Sequence, residues 1–217
     1  MKKIIYSTLS IALLAVSISS CAKSSKGKMS NEWKVTEYNS KETDTQSNGD
    51  VTVTTLVMTE TTVTQTTEDT PNGGSTTTTT QTGTVNTNEM TIEKDGTWTG
   101  TRDVTYVNGL VTTKLTMATS GTWSFVGTTK GDDFKKNERV LFNTLSETNT
   151  QAVTISGSTS TSASTDTYMT GEVVMVYTVK ESKKDELQLE AEMGNTYTSG
   201  SNTSSTKGTT TITLGAK

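Results

Sequence analysis

Apolar and aromatic residues recur at every second position through much of this chain, between short clusters of Asn, Asp, Gly and Lys. That is the pattern of half-buried β-strands joined by turns. It is clearest over residues 90–127, where Lys94-Asp95-Gly96 and Asn108-Gly109 separate segments rich in Thr, Val and aromatic side chains. These signals predict consecutive antiparallel hairpins. A loop made of Asn108 and Gly109 places Val107 opposite Leu110, and the pairing counts outward from there. Tyr106 then faces Val111, Val104 faces Thr113, Arg102 faces Leu115, Gly100 faces Met117 and Trp98 faces Thr119. On the other face Asp103 falls opposite Lys114, a favourable cross-strand pair. One face collects aromatic and aliphatic residues and the other Thr and charge, so the predicted sheet has one side on a core.

The same alternation organises the rest. Trp33, Val35 and Glu37 share a face of an opening strand, and residues 39–50 form a polar loop. From Val51 the odd positions through Val63 predict one long strand, followed by a turn cluster at residues 68–74. A Thr-dominated return strand over residues 75–86 completes a long hairpin whose tip projects beyond the core, with low-complexity disorder the competing reading for residues 75–81. Residues 128–137 are a loop, and residues 138–145 a strand with Val140 and Phe142 on one face. Residues 156–167, rich in Ser, Thr and Gly, are expected to be a flexible loop. Residues 171–180 are the most apolar segment and could be buried on both faces. A charged turn at residues 181–186 precedes alternating Leu187, Leu189, Ala191 and Met193. A polar hairpin loop near residues 199–205 leads to a last strand over residues 209–214. Regularly spaced strands without a convincing helix predict an all-β fold, an antiparallel up-and-down barrel with long Thr-rich hairpin insertions.

The first residues follow a different pattern. Lys2 and Lys3 precede an apolar run from Ile4 to Ile18, and Ser19-Ser20-Cys21 follow. A basic start, an apolar run of this length and small residues before the break predict a signal peptide over residues 1–20. The run is shorter than the roughly 20 apolar residues of a membrane-spanning helix. Cys21 after small residues resembles the lipobox of bacterial lipoproteins, in which the cysteine is diacylated and becomes the mature N-terminus. A stricter lipobox has Leu and Ala or Gly where this chain has Ile18, Ser19 and Ser20; lipoproteins of Bacteroidota are looser there. Cys21 is the single cysteine, so an intramolecular disulfide is impossible and lipidation accounts for it. Two acyl chains anchor stably where one does not. Residues 22–30 are then a short basic tether, and residues 31–217 the barrel domain. Surface-displayed lipoproteins of Bacteroidota often carry an acidic export signal after the cysteine, so by resemblance a basic tether implies the periplasmic face of the outer membrane.

Composition narrows the partners. With 19 Lys and Arg against 23 Asp and Glu the formal net charge is -4, and loss of Lys2 and Lys3 takes it to -6. An acidic chain lacking clustered cations is a poor candidate for nucleic acid. A hydrophobic content of 29% disfavours a thick two-layer α/β domain and suits a thin barrel with Thr-covered outer faces.

Trp33-Lys34-Val35-Thr36-Glu37-Tyr38, then Glu93-Lys94-Asp95-Gly96-Thr97-Trp98, then Gly121-Thr122-Trp123-Ser124-Phe125 occur in an order that resembles the lipocalin-like domain of Bacteroidota lipoproteins. Residues 176–180 (VYTVK) and 185–190 (DELQLE) extend the resemblance, which covers most of residues 33–214. The chain departs from true lipocalins in having Asn31-Glu32-Trp33 where they carry G-x-W, and the Thr-rich segment 51–86 and the loop near residue 160 look like insertions. The resemblance implies a barrel-like fold; the activity of such lipoproteins is largely undefined, and binding of a small apolar ligand is implied only by analogy of fold.

Catalytic chemistry is scarce. The chain has no His for a triad, a general base or the usual metal site. No glycine loop carries the lysine of a phosphate-binding motif. Carboxylate chemistry stays open: Glu68-Asp69 and Asp132-Asp133 are candidates for a glycosidase pair or a calcium site, but both fall in predicted turns, where solvated charge is the better explanation. Neither catalytic, cofactor-binding nor metal-binding residues are therefore assigned. Trp33, Trp98 and Trp123 read as core anchors, with the alternative that Trp98 and Trp123 line a cavity. Arg102 is the odd member of an apolar face and needs a partner if buried, with Glu32 and Glu93 as candidates. The candidate ligand-facing set is Trp98, Arg102, Tyr106, Met117 and Trp123. Two expectations follow: a non-enzymatic module for a small apolar ligand, or a structural envelope protein with a filled barrel and exposed Thr-rich edges.

Overall fold

Alternation and Thr content produce long strands throughout the computed structural model, which describes residues 26–127, 138–199 and 202–217. A single helical turn, α1 (Lys26–Met29), precedes β1 (Asn31–Thr45), β2 (Val51–Thr59), β3 (Thr62–Thr70) and β4 (Thr77–Ile92). There follow β5 (Thr97–Asn108), β6 (Val111–Gly127), β7 (Arg139–Ile155) and β8 (Ser158–Thr167). The chain ends with β9 (Val173–Ser182), β10 (Glu186–Ser199) and β11 (Asn202–Ala216). Strands pair in the order β6-β5-β4-β3-β2-β1-β11-β10-β9-β7, and β7 closes the ring on β6. The fold is thus an all-β, closed antiparallel barrel of ten strands, consistent with a lipocalin-like barrel, and β8 is an extra strand on β7.

The ring differs at its two ends. At the base Asn31 to Lys34 of β1 pair directly with Ile92 to Glu89 of β4, so the β2–β3 hairpin is bypassed and eight strands close the circle. Higher up, β1 leaves β4 and pairs with β2 from Glu37 onward, and the hairpin wedges in. A matching change occurs on β7. Its lower part, Arg139 to Thr144, pairs with β9, and its upper part, Ser146 to Ile155, pairs with β8. Residues 168–172 form the step between them, held by Tyr168 N–H to the Leu145 carbonyl and by Gly171 N–H to Oδ1 of the buried Asn143 at 2.7 Å. Above this step no ladder among the described residues joins β8 to β10, leaving a slot in the upper wall.

The base is filled. Met29, Trp33, Ile92, Trp123, Val140, Phe142, Leu187, Leu189 and Leu214 are buried together. α1 belongs to this plug, because Met29 is fully buried and its carbonyl accepts the Trp33 indole N–H at 2.8 Å. The folded domain therefore starts within the segment expected to be a polar tether. A second, smaller cluster of Met58, Val63, Val85, Val104 and Tyr106 lies under the β2–β3 wedge.

Several local expectations are corrected. The central hairpin turns on Gly109 and Leu110, so Asn108 pairs with Val111, Arg102 with Met117 and Trp98 with Gly121. Gly109 alone takes a positive φ there, of 58°, as a type II′ turn requires of its first central residue, so the Asn108 signal for type I′ is not used. The displacement is by two residues, which leaves every side chain on its expected face. Asp103 and Lys114 consequently meet on the diagonal, at 2.9 Å.

The expected strand over residues 51–63 is two strands. Thr59 Oγ1 accepts the N–H groups of Thr61 and Thr62, turning the chain and reversing which parity faces inward. Leu56 and Met58 point in from β2, Val63 points in from β3, and Val57 is exposed. The expected loop at residues 39–50 is largely strand, and a bulge between Val35 and Glu37 puts Tyr38 rather than Glu37 against the core. The Thr-rich residues 77–86 lie within β4, and residues 156–167, expected to be a flexible loop, form a Ser156–Gly157 turn and β8. β9 is not buried on both faces, since Val174 and Val176 point outward and are exposed. The loop at residues 128–137 and Cys21 lie outside the described residues.

Candidate binding clefts

Because the base is packed and the wall is widened above it, the interior is left with two clefts that meet at Arg102 and Met117. The upper, of about 400 Å³, lies beneath β2, β3, β5, β6, β7 and β8 and is lined by Leu56, Met58, Val104 and Tyr106 together with the polar Gln65, Asn149 and Gln151. The lower, of about 290 Å³, is floored by Trp98, Phe142, Met175 and Tyr177 and walled by Tyr38, Met90 and Ile212. Their volumes fall in and near the lower part of the range usual for small-molecule sites.

Three rings build the floor. Trp98 meets Phe142 edge to face at 5.5 Å and 79°, and Phe142 meets Tyr177 likewise at 5.9 Å and 77°. Such pairs are worth about 0.5–1.5 kcal/mol beyond the area they bury. Trp98 is fixed by two glycines on neighbouring positions. A Cβ at Gly121 would stand 2.8 Å from its Nε1, and one at Gly100 would stand 3.3 Å from its Cζ3. The indole N–H is directed at the Asn143 carbonyl at 3.4 Å. The Asp95-Gly96-Thr97 turn sets the strand carrying this ring: the Asp95 carboxylate accepts from both the Thr97 hydroxyl and its backbone N–H, at 2.7 and 2.9 Å. Those bonds, the side-chain one foremost, hold the Asp95 carboxyl below the usual range.

Of the candidate ligand-facing residues, Trp98, Arg102, Tyr106 and Met117 line the clefts. Trp123 does not. It is buried in the basal plug with its indole N–H on the Glu93 carbonyl at 2.7 Å. Neither Glu32 nor Glu93 pairs with Arg102; among the described residues no ion pair involves it. Its Nη2 contacts the Met117 sulfur at 3.5 Å, and its cross-strand neighbours Asn88 and Met117 are neutral. Phe142 and Tyr177 are cleft residues that sequence reasoning placed only on strand faces. The available signal was Gly100, a residue without a side chain in the middle of an inward-facing row.

Burial, and secondarily the nearby Tyr38, push the Tyr177 phenol far above the usual tyrosine range. Burial raises Tyr106 as well, against the opposing effect of the Arg102 charge. The native state thus keeps protons that the unfolded chain releases near pH ~10, and stability falls as pH rises above that point. Thermal melts between about pH 9 and 11 should show this decline, and Tyr177→Phe should flatten it. An equal decline in the variant would mean that Tyr177 is not its source.

Among the described residues no group of three or more carboxylates, Cys or His is arranged to hold a metal. No family model, curated protein or solved structure matches this chain. Fold and clefts together define an all-β barrel protein with a sealed base and a partly hollow upper interior.

Proposed function

We propose that this chain is a lipid-anchored envelope protein, held at the periplasmic face of the outer membrane by a diacylglycerol on Cys21, whose barrel binds a small apolar ligand without catalysing a reaction. The anchor rests on Lys2, Lys3, the apolar run to Ile18 and the small residues before Cys21. Cys21 precedes α1 by only a few residues, so the anchor would hold the sealed base toward the membrane and the hollow end away from it. The observation that carries the binding reading is the aromatic floor: Trp98, Phe142 and Tyr177, packed on the basal core, also line an unfilled cleft above it. Protein interiors are ordinarily filled at that depth.

Native mass spectrometry of the protein purified from a bacterial host tests it. A co-purified small molecule is expected on the wild type and should be lost from Trp98→Ala. A bare mass for the wild type, with no thermal shift from added lipids, would remove the reading. The second reading, a structural or interaction protein, is favoured by β8. All ten of its residues are exposed, its outer edge pairs with no strand among the described residues, and it carries neither Lys nor Pro to discourage strand addition. A bare mass accompanied by a dimer in the same spectra would favour that reading.

A further inference from the structure

Arg102 is the inconsistent residue of the interior. A guanidinium is charged at any physiological pH and offers five N–H donors. Half-buried among apolar groups, it needs acceptors. The structure supplies a thioether, a weak acceptor, and neutral neighbours on both adjoining strands. Glu89, the acid on the paired strand, is taken by Lys217 at 2.6 Å. The donors of Arg102 are thus left for something that enters the interior, at the point where the two clefts meet.

The surroundings select the chemistry of that ligand. Below Arg102 the floor is aromatic and aliphatic; above it the wall offers Gln65, Asn149 and Gln151. A cation would be repelled. A pure hydrocarbon would strip water from the guanidinium and return nothing, at a cost of the kind paid for any unpaired buried charge. A carboxylate or phosphate matches the fork of the guanidinium and gives charge-assisted, bidentate hydrogen bonds. We propose that the junction of the clefts binds an amphiphile carrying one oxyanion, with its charged group on Arg102 and its apolar body along Trp98, Phe142 and Tyr177. This rests on the reading of the interior as a ligand site and adds the class of ligand.

Isothermal titration of the full chain in lipid nanodiscs, with empty nanodiscs as the blank, tests it using octanoate, octyl phosphate and 1-octanol. At least one of the two anions should bind about tenfold or more tightly than the alcohol, the scale of a hydrogen bond to a charged group. The anion that does so identifies a carboxylate or a phosphate headgroup as the source. Arg102→Gln should abolish the preference by weakening anion binding, and Arg102→Lys should keep part of it. Equal binding of anion and alcohol by the wild type, or a preference that survives Arg102→Gln, would overturn the proposal and leave the apolar site standing. Binding of none of the three would overturn both. Circular dichroism melts report whether each variant is folded, and should Arg102→Gln unfold, the wild-type anion-to-alcohol ratio and Arg102→Lys decide.

Discussion

Gly121→Ala should destabilise the barrel by about 3–4 kcal/mol, far more than an added methyl group costs at an ordinary strand position. The new Cβ would stand 1.9 Å from the Asn143 carbonyl oxygen and 2.8 Å from Trp98 Nε1. The first contact is with backbone, which cannot rotate aside. It also lies where the β6–β7 ladder already shifts register, between Ser120 and Gly121. To admit the methyl group, β7 must separate from β6 or the Trp98 ring must leave its place. For a chain of this size the loss corresponds to a fall in melting temperature on the order of 10 °C. Gly194→Ala is the control, since nothing lies within 4 Å of a Cβ there. Differential scanning calorimetry of the pair checks the expectation, and equal melting temperatures would show that the β6–β7 approach is looser than described.

Trp33→Ala should cost about 4 kcal/mol or more, the upper part of the range for removing a buried aromatic ring. The ring is fully buried at the centre of the basal plug, and its indole N–H satisfies the Met29 carbonyl. Truncation leaves a cavity and an unpaired buried carbonyl together, and the two penalties add to each other. Trp33→Phe keeps most of the volume and loses the hydrogen bond, so it should fall between wild type and Ala. Urea titrations measure all three. A midpoint for Trp33→Ala close to that of Trp33→Phe would mean that the base collapses around the smaller side chain.

The faces of the strands were legible because side chains alternate strictly, so any error of two residues is harmless to them. The central hairpin shows this: its turn is displaced from Asn108-Gly109 to Gly109-Leu110, yet Trp98, Gly100, Arg102, Val104 and Tyr106 all remain inside. Alternation fails where a turn has no glycine or proline to mark it. Thr59 to Thr62 reverse the chain through a threonine hydroxyl, and the odd-numbered row from Val51 to Val63 therefore changes face before Val63. Composition misleads in the opposite sense at β8. Its Ser and Thr side chains bury nothing, and it is a strand because its backbone pairs with β7, reinforced by Thr148–Thr165 and Thr154–Thr159 hydroxyl bonds at 3.0 and 2.8 Å.

The candidate site divides in the same way. Arg102 stood out as a charge on an apolar row, a property of one strand that needs no partner to be seen. Trp123 had the same local credentials as Trp98 but is sealed in the base, because only the closing of β1 on β4 decides which end of the barrel is filled.

The sequence by itself determined that this protein is built of antiparallel strands with one apolar face, that its inward row includes Trp98, Arg102, Tyr106 and Met117, and that the chain carries no His. These follow from alternation and composition, which are local. Only the tertiary structure decided that the ring narrows to eight strands at the base and widens above, that two clefts meet at Arg102, and that among the described residues no carboxylate pairs with it. Those depend on which distant strands exchange partners, between Lys34 and Glu37 on β1 and at Leu145 on β7. Pairing between segments far apart in the chain leaves no mark in either segment alone.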